Sequence, residues 1–186
     1  MQYCLDTFGT LFSVSAFANL LKSNDMPISK KTVSNYLQYL RDDFYVITNE
    51  KFDFSPRKRL MNPKKIYLLD VGFATLATVF SENRGRFLAN IVAIELFRRK
   101  EEMFYYMNRY ECDFVVKRGF KPDHGIQVCW EIDIHNRNRE LKGLCEAMKN
   151  LKLKKGFILT YQQEGEERLN DQSFETLPVW KWLLDI

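Results

Sequence analysis

Three polar residues occupy positions where the local pattern calls for apolar side chains, and Glu95 is the first of them. It follows Ile91 by four residues and Val92 by three, so a helix would place its carboxylate on the buried stripe. An unpaired carboxylate in that position is costly. We therefore expect Glu95 to have a buried partner or to bind a metal.

The other two polar residues, Asp113 and Gln127, lie in strand-like runs. Alternation places Asp113 on one face with Glu111 and Val115. In the next run, the residues that share a face are Gln127, Cys129 and Glu131. The pattern therefore predicts two polar strips that can face each other.

The order of these residues resembles the signature of the PD-(D/E)XK nuclease-like superfamily. Glu95 stands on a helix and is followed by the runs Glu-Cys-Asp-Phe-Val-Val (111–116) and Ile-Gln-Val-Cys (126–129). The closest resemblance is to the uncharacterised domain that follows the ATPase core in many bacterial and archaeal AAA-type ATPases. Further stretches that agree with that domain are 29–44, 62–72, 90–98 and 139–140, so the resemblance covers nearly the whole chain.

The resemblance implies a metal-dependent active site that has lost essential groups. In active members, two or three carboxylates hold Mg²⁺, and a lysine beside the last one orients water and stabilises phosphate charge. Carried over by position, the catalytic and metal-binding set is Glu95, Asp113 and Gln127, with Cys129 at the lysine position. The Cys129 thiol supplies no fixed positive charge, and the Gln127 side chain offers a neutral amide where a carboxylate is usual. We expect no efficient cleavage, and weak metal binding to which Glu111 and Glu131 can add oxygen ligands.

Three interpretations of these residues stay open. Glu95 and Asp113 can form a purely structural network with Arg98, Arg99 or Tyr106. Alternatively, a metal-dependent DNA nuclease with an altered site would use Glu95, Glu111, Asp113 and Gln127. Lys117 shares the face of Asp113 but is four residues away, about 13 Å along a strand, which is too far to replace the lysine. The third interpretation is a pure protein-interaction module.

The residues before position 70 predict a winged-helix-like region. Ser13 is placed to cap a helix with Val14, Phe17, Leu20 and Leu21 on one face, and residues 24–27 break it. Ser29 can cap a second helix whose apolar residues are Val33, Leu37, Leu40 and Phe44. Strands at 45–48 and 64–69 would then pair around a polar excursion, 49–63, that forms a wing.

The remaining residues predict a second domain. A connecting helix is expected in 71–83, and from 84 to 186 we expect a restriction-endonuclease-like (PD-(D/E)XK) mixed-sheet domain in the order α-β-β-β-α-β. Its helices are predicted at 84–99 and after Asn136, which would cap the second. The fold class is therefore α/β, more specifically α+β.

Basic residues in the first region suggest a nucleic-acid surface. Five of them and no acidic residue lie between Phe54 and Leu69. Residues expected to contact DNA phosphates or base edges are Lys30, Lys31, Asn35, Gln38, Arg41, Arg57, Lys58, Arg59, Lys64 and Lys65. The alternative is a solvated face on a region that packs against the ATPase core of a parent protein.

Composition narrows the remaining function classes. The net charge is +4, and the four cysteines show no CxxC spacing, which favours a reducing, cytoplasmic setting without a membrane partner. No GxxxxGK[ST] loop occurs, so ATP would bind only elsewhere in a parent protein, and Mg²⁺ is the one cofactor implied here. The opening residues resemble the middle of a protein, so we expect a fragment. No pattern indicates an oligomeric state.

Overall fold

The computed structural model describes residues 1–78 and 84–185 and has mixed α/β architecture. The chain divides into two units, residues 1–81 and 82–186. None of the helices that the structure describes combines the length and the apolar character needed to traverse a bilayer.

Two serines begin the main helices of the first unit, as their positions predict. The first three helices among the described residues are α1 (Gln2–Asp6), α2 (Val14–Ser23) and α3 (Lys30–Asp42). The Ser13 hydroxyl accepts a hydrogen bond from the Ala16 amide at 3.3 Å, and the Ser29 hydroxyl accepts one from the Thr32 amide at 3.1 Å. Each satisfies a backbone donor that the first turn leaves without a partner.

The apolar face of α3 is shorter than the sequence pattern predicts. Val33 and Leu37 are buried, and Leu40 is half-buried. The prediction that Phe44 belongs to this apolar face is wrong, because Phe44 lies beyond the end of α3 with φ of 60° and its side chain is 63% exposed. A left-handed residue after the last turn redirects the chain, so the helical spacing no longer applies to Phe44.

The sheet of the first unit is antiparallel, with strand order β1-β3-β2. Its strands are β1 (Leu11–Phe12), β2 (Val46–Lys51) and β3 (Lys64–Leu68). The predicted pairing of the two longer strands is confirmed, with Thr48 opposite Ile66. The excursion predicted as a polar wing is different: it includes the end of β2 and a short helix, α4 (Pro56–Met61), whose first residue is a proline.

A 3-10 helix follows β3, from Val71 to Leu76. The Asp70 carboxylate caps it by accepting a hydrogen bond from the Gly72 amide at 2.7 Å. The predicted connecting helix, 71–83, is thus a 3-10 helix in its first half. Residues 79–83 of that prediction lie outside the described residues.

The second unit is a six-stranded mixed sheet with helices. Its elements are α5 (Arg84–Arg98), β4 (Glu102–Met107), β5 (Glu111–Arg118), β6 (Lys121–Val128), α6 (Arg137–Leu151), β7 (Lys155–Thr160), β8 (Gly165–Leu169), β9 (Gln172–Pro178) and α7 (Val179–Leu184). Strand order is β4-β5-β6-β7-β9-β8. Strands β6, β7 and β9 are parallel, and the remaining pairs are antiparallel. The predicted order α-β-β-β-α-β is confirmed up to β7.

Helix α6 approaches the sheet unusually closely because of two glycines. A Cβ atom on Gly143 would lie 1.8 Å from the Glu111 carbonyl oxygen, and one on Gly125 would lie 2.7 Å from a Leu144 methyl carbon. Leu141 and Leu144 are completely buried at this contact. This close packing brings the first turn of α6 to the end of β6, where the candidate site lies.

Candidate functional site

The candidate site lies where β5 and β6 stop pairing. The last paired residues at this end are Phe114 and Ile126. Beyond them, the Asp113 carboxylate accepts a hydrogen bond from the Val128 amide at 3.0 Å, and the Gln127 side-chain carbonyl accepts one from the Asp113 amide at 3.3 Å. Side-chain oxygens here replace the carbonyl acceptors of a regular ladder, so both side chains are held in place by the backbone.

Glu140, in the first turn of α6, completes this arrangement. The Gln127 amide nitrogen donates to one Glu140 oxygen at 2.7 Å, and the Arg139 guanidinium donates to the other, with Nε at 3.0 Å. Asp113, Gln127 and Glu140 are all less than 10% exposed, whereas the Arg139 side chain is 77% exposed. We call Asp113, Gln127 and Glu140 the polar cluster.

Cys129 lies beside the polar cluster and stays protonated. Burial, together with the negative charges of Glu140 and Asp113, raises the pKa of its thiol to about 12. At neutral pH the side chain is therefore a neutral thiol. It supplies neither the cation of a lysine nor the nucleophile of a thiolate.

Glu95 has side-chain partners, as its position on the helix predicts, but Arg98 is 68% exposed and Arg99 is half-buried. Arg98 donates to its carboxylate with Nε at 2.7 Å and a terminal nitrogen at 2.6 Å, and Arg99 donates to it as well. The hydrogen bond from Arg98, with support from Arg99, lowers the pKa of Glu95 to about 2. Among the described residues, this carboxylate hydrogen-bonds to no group of the polar cluster.

Arg99 extends this ion-pair network to the last helix. Its guanidinium donates to the Asp185 carboxylate at 2.7 Å and to the Trp182 carbonyl at 3.0 Å. Tyr106, another predicted partner of the acidic residues, instead accepts a hydrogen bond from Asn150 at 2.6 Å. The Glu95 network therefore joins α5 to α7.

The remaining predicted ligands do not gather around one point. Within residues 1–78 and 84–185, no three His, Cys, Asp or Glu side chains are placed to hold a metal ion. Glu111 is half-buried at the start of β5, and Glu131 is exposed. The Lys117 ammonium donates to both Glu102 carboxylate oxygens, at 2.7 and 2.9 Å, and so is engaged away from Asp113.

Glu140 was missed as a site residue, although the sequence holds the same signal that identified Glu95. It precedes Leu144 by four residues and Ala147 by seven, so it lies on the buried stripe of α6. Applying the rule for misplaced polar residues to both helices would have found it. Its hydrogen bond to Gln127, however, depends on the distance between α6 and β6.

The predicted DNA-contacting residues of α3 are mostly exposed. Lys30, Lys31, Asn35 and Arg41 have accessible side chains. Gln38 is also exposed but donates to the Asp42 carboxylate at 2.7 Å and accepts a hydrogen bond from Arg41 at 3.4 Å. Within the described residues, the N-terminal half of α3 thus presents two cations, Lys30 and Lys31, and the Asn35 amide without competing side-chain contacts, whereas Arg41 lies in the last turn.

The basic residues around α4 divide into two groups. Arg57 and Lys58 are exposed on α4, and Arg59 is half-buried. Lys64 forms an ion pair with Glu50, and only 3% of Lys65 is exposed. Neither lysine is therefore available for the predicted contact with DNA. All of β3 from Lys65 to Leu68 is buried, so the basic surface here consists of the α4 residues.

Comparison with known proteins gives matches to uncharacterised sequences. Residues 1–84 match the model of a domain of unknown function (DUF8612). An uncharacterized protein of Methanocaldococcus jannaschii is 34% identical over 97% of this chain and 42% of its own length. An uncharacterized protein of Haemophilus influenzae is 28% identical over 98% of this chain and 44% of its own length. The chain therefore spans less than half the length of these relatives. No solved structure matches it.

Proposed function

We propose that this chain is a non-catalytic nucleic-acid-binding module, composed of a winged-helix-like unit and a PD-(D/E)XK-like domain without cleavage chemistry. It would act in the cytoplasm as the C-terminal accessory part of an AAA-type ATPase. The proposal is supported by the polar cluster, by the exposed basic residues of the first unit and by the order of the elements.

The hydrogen bond between Gln127 and Glu140 carries the argument against catalysis. An Mg²⁺-dependent nuclease needs oxygen ligands that lack competing partners and a cation near the phosphate. Here the Gln127 amide donates to Glu140 and accepts from the backbone of Asp113, so its polar atoms are already used. The neutral Cys129 thiol adds no positive charge. Arg139 balances the charge of Glu140 from outside the cluster, and hydrogen bonds satisfy the Gln127 side chain, so the cluster resembles a metal site that no longer needs its metal.

The element order supports the two fold assignments within this proposal. In the first unit, two successive helices, α2 and α3, are followed by the antiparallel strands β2 and β3, the order expected of a winged helix. In the second unit, α5 with Glu95 is followed by β5 with Asp113 and β6 with Gln127, the order of the nuclease-like signature. Either order can occur without the function, so binding requires separate support.

That support comes from exposed cations on α3 and α4. Lys30, Lys31 and Arg41 on α3, and Arg57 and Lys58 on α4, are available for phosphate oxygens. Asn35 lies on the exposed surface of α3, where an amide can pair with an adenine edge. Such contacts position a protein on nucleic acid and make its affinity depend on salt.

The link to an ATPase remains a proposal about a larger protein. The relatives are more than twice as long as their aligned parts, which leaves room for another domain. The absence of a phosphate-binding GxxxxGK[ST] loop from this sequence assigns any ATP hydrolysis to such a domain. For the compartment, the support is that no disulfide joins the cysteines among the described residues.

A protein-interaction module is the second candidate, and exposed apolar residues favour it. Phe54, Leu60 and Met61 are each more than 70% exposed at or beside α4. Apolar side chains in such numbers on a short segment commonly mark a protein contact. This candidate predicts a stable complex with the rest of the parent protein and no affinity for nucleic acid.

Binding to a labelled DNA duplex across a salt series separates the candidates. The test variant is Lys30→Ala/Lys31→Ala/Arg57→Ala/Lys58→Ala. A matched control removes four exposed cations from the second unit: Arg109→Ala/Lys121→Ala/Lys142→Ala/Lys149→Ala. We expect the test variant to lower the slope of log K against log salt by about 0.9 for each lost phosphate contact, and the control to retain it. No binding by the wild type at low salt would favour the interaction module.

A further inference from the structure

A second polar site exists in the second unit, away from the polar cluster. A pocket of about 490 Å³ opens beside the C-terminal end of α5, the first residues of β6 and β7, and α7. No residue of the polar cluster lines it. Its volume lies in the range of about 300–1,000 Å³ that small-molecule sites occupy.

Cations exceed carboxylates around this pocket. The cations are Arg99, Arg118, Lys154 and Lys155, whereas the acids are Glu101, Asp123 and Asp185. Arg99 is fully engaged by Glu95, Asp185 and the carbonyls of α7. Arg118 is paired with Glu101 at 2.9 Å, so the cations that can serve a ligand are Lys154 and Lys155.

These two lysines are incompletely neutralised. Asp123 is shared between His124 at 3.0 Å, Arg118 at 3.8 Å and Lys154 at 4.0 Å. Among the residues that the structure describes, the Lys155 ammonium has no hydrogen-bond or ion-pair partner. The side chain of Lys154 is 82% exposed, so its ammonium can move to meet an anion.

Three apolar side chains also line the pocket. Leu96 is buried, and the rings of Phe157 and Trp182 form part of the wall. The two rings are fixed, because the Arg99 guanidinium packs 4.6 Å from the Trp182 ring and His124 packs edge-on against Phe157 at 5.6 Å. A ring of a ligand can pack against such a wall while a charged group meets the lysines.

We propose that this pocket binds a phosphate monoester that carries an aromatic ring, of which a nucleotide is the simplest case. Lys154 and Lys155 contact the phosphate, and the ring lies against Phe157 and Trp182. The ligand is either a free mononucleotide or the 5′-phosphorylated terminal nucleotide of a strand, since both present this chemistry. The site is independent of the basic residues on α3 and α4, so it can exist whether or not the chain binds duplex DNA.

Isothermal titration calorimetry with adenosine 5′-monophosphate tests the site directly. We expect the wild type to bind this probe, and to bind adenosine and inorganic phosphate at least about tenfold more weakly, because each lacks one half of the recognised structure. Lys154→Ala/Lys155→Ala should weaken binding by about tenfold or more. Lys149→Ala, which removes an exposed cation of α6 outside the pocket, should leave it unchanged.

A short oligothymidylate with and without a 5′-phosphate distinguishes the two sources of the ligand. If the strand end is bound, the phosphorylated oligomer binds at least about tenfold more tightly than the 5′-hydroxyl form and than the mononucleotide. If the mononucleotide is bound, it is the tighter ligand. No heat with either phosphorylated probe would overturn the proposal. Equal affinity for inorganic phosphate and the mononucleotide, or an equal loss in Lys149→Ala, would overturn it as well.

Discussion

The Gln127 side-chain amide donates a hydrogen bond to the Glu140 carboxylate at 2.7 Å, in a position where both side chains are buried. A carboxylate at position 127 would put two negative charges at the same separation, and they would need a cation between them. The amide provides a proton instead. One neutral side chain thus accounts for the stability of the cluster without a metal and for its expected inability to cut nucleic acid.

Gln127→Glu should create a need for a cation between the carboxylates at positions 127 and 140. We expect the variant to be less stable than the wild type by about 3 kcal/mol near pH 8, because it leaves like charges buried together. Acidification or millimolar Mg²⁺ should recover part of the loss by neutralising the pair. Urea denaturation with and without Mg²⁺ checks this, with Gln162→Glu as the control because Gln162 is exposed. Equal destabilisation of the two variants would contradict the role of the Gln127–Glu140 pair.

Cys129 should resist alkylation. Its thiol has a pKa of about 12, so the reactive thiolate is scarce at pH 8, and its side chain is only 7% exposed. Cys145 is half-exposed and serves as the internal comparison. Peptide mass mapping after brief iodoacetamide treatment should find Cys145 modified and Cys129 unmodified until the protein unfolds. Early modification of Cys129 would mean that the site holds a thiolate.

The Glu95 network should make stability fall in acid. Its pKa is about 2 in the folded chain, against 4.5 for an ordinary glutamate. A lowered folded-state pKa stabilises the fold above about pH 4.5, and this contribution disappears as the pH falls from about 4.5 to about 2. Denaturation curves between pH 2 and pH 6 should therefore show a smaller pH dependence for Glu95→Gln than for the wild type. The control is Glu175→Gln, at an exposed position, which should keep the dependence of the wild type.

Gly143 should tolerate no side chain. A Cβ atom there would lie 1.8 Å from the Glu111 carbonyl oxygen, so α6 would have to move away from β5. We expect Gly143→Ala to destabilise the fold by about 3 kcal/mol or more, although alanine favours helix elsewhere. Thermal denaturation compared with Lys142→Ala, at the neighbouring exposed position, measures the effect. A stability equal to that of the wild type would contradict the close contact.

The sequence predicts local elements of this protein better than its long-range contacts. The caps at Ser13 and Ser29 and the burial of Glu95 depend on neighbours within one or two helical turns, so spacing is sufficient to find them. The Gln127–Glu140 bond depends instead on how closely α6 approaches β6, which Gly143 and Gly125 determine only in the folded chain. Spacing also could not show that Lys65 points inward or that Lys64 pairs with Glu50.

The last two strands were not predicted for a related reason. Strand β8 contains Glu166, Glu167 and Arg168 in succession, which lacks the apolar alternation of a half-buried strand. It forms because β9 offers it an antiparallel partner, with Phe174 fully buried on the better-patterned strand. Pairing of this kind is a tertiary contact, so the local pattern does not reveal it.

The most direct test of the proposed function measures binding and cleavage on the same DNA sample. A fluorescently labelled duplex is incubated with the wild-type chain at low salt in the presence of Mg²⁺ or Mn²⁺, its anisotropy is recorded, and the strands are then separated on a denaturing gel. The proposed function predicts raised anisotropy, lost at high salt, together with full-length strands. Metal-dependent fragments that disappear in Asp113→Ala would contradict it and restore the nuclease interpretation. Unchanged anisotropy would contradict nucleic-acid binding and leave the protein-interaction module.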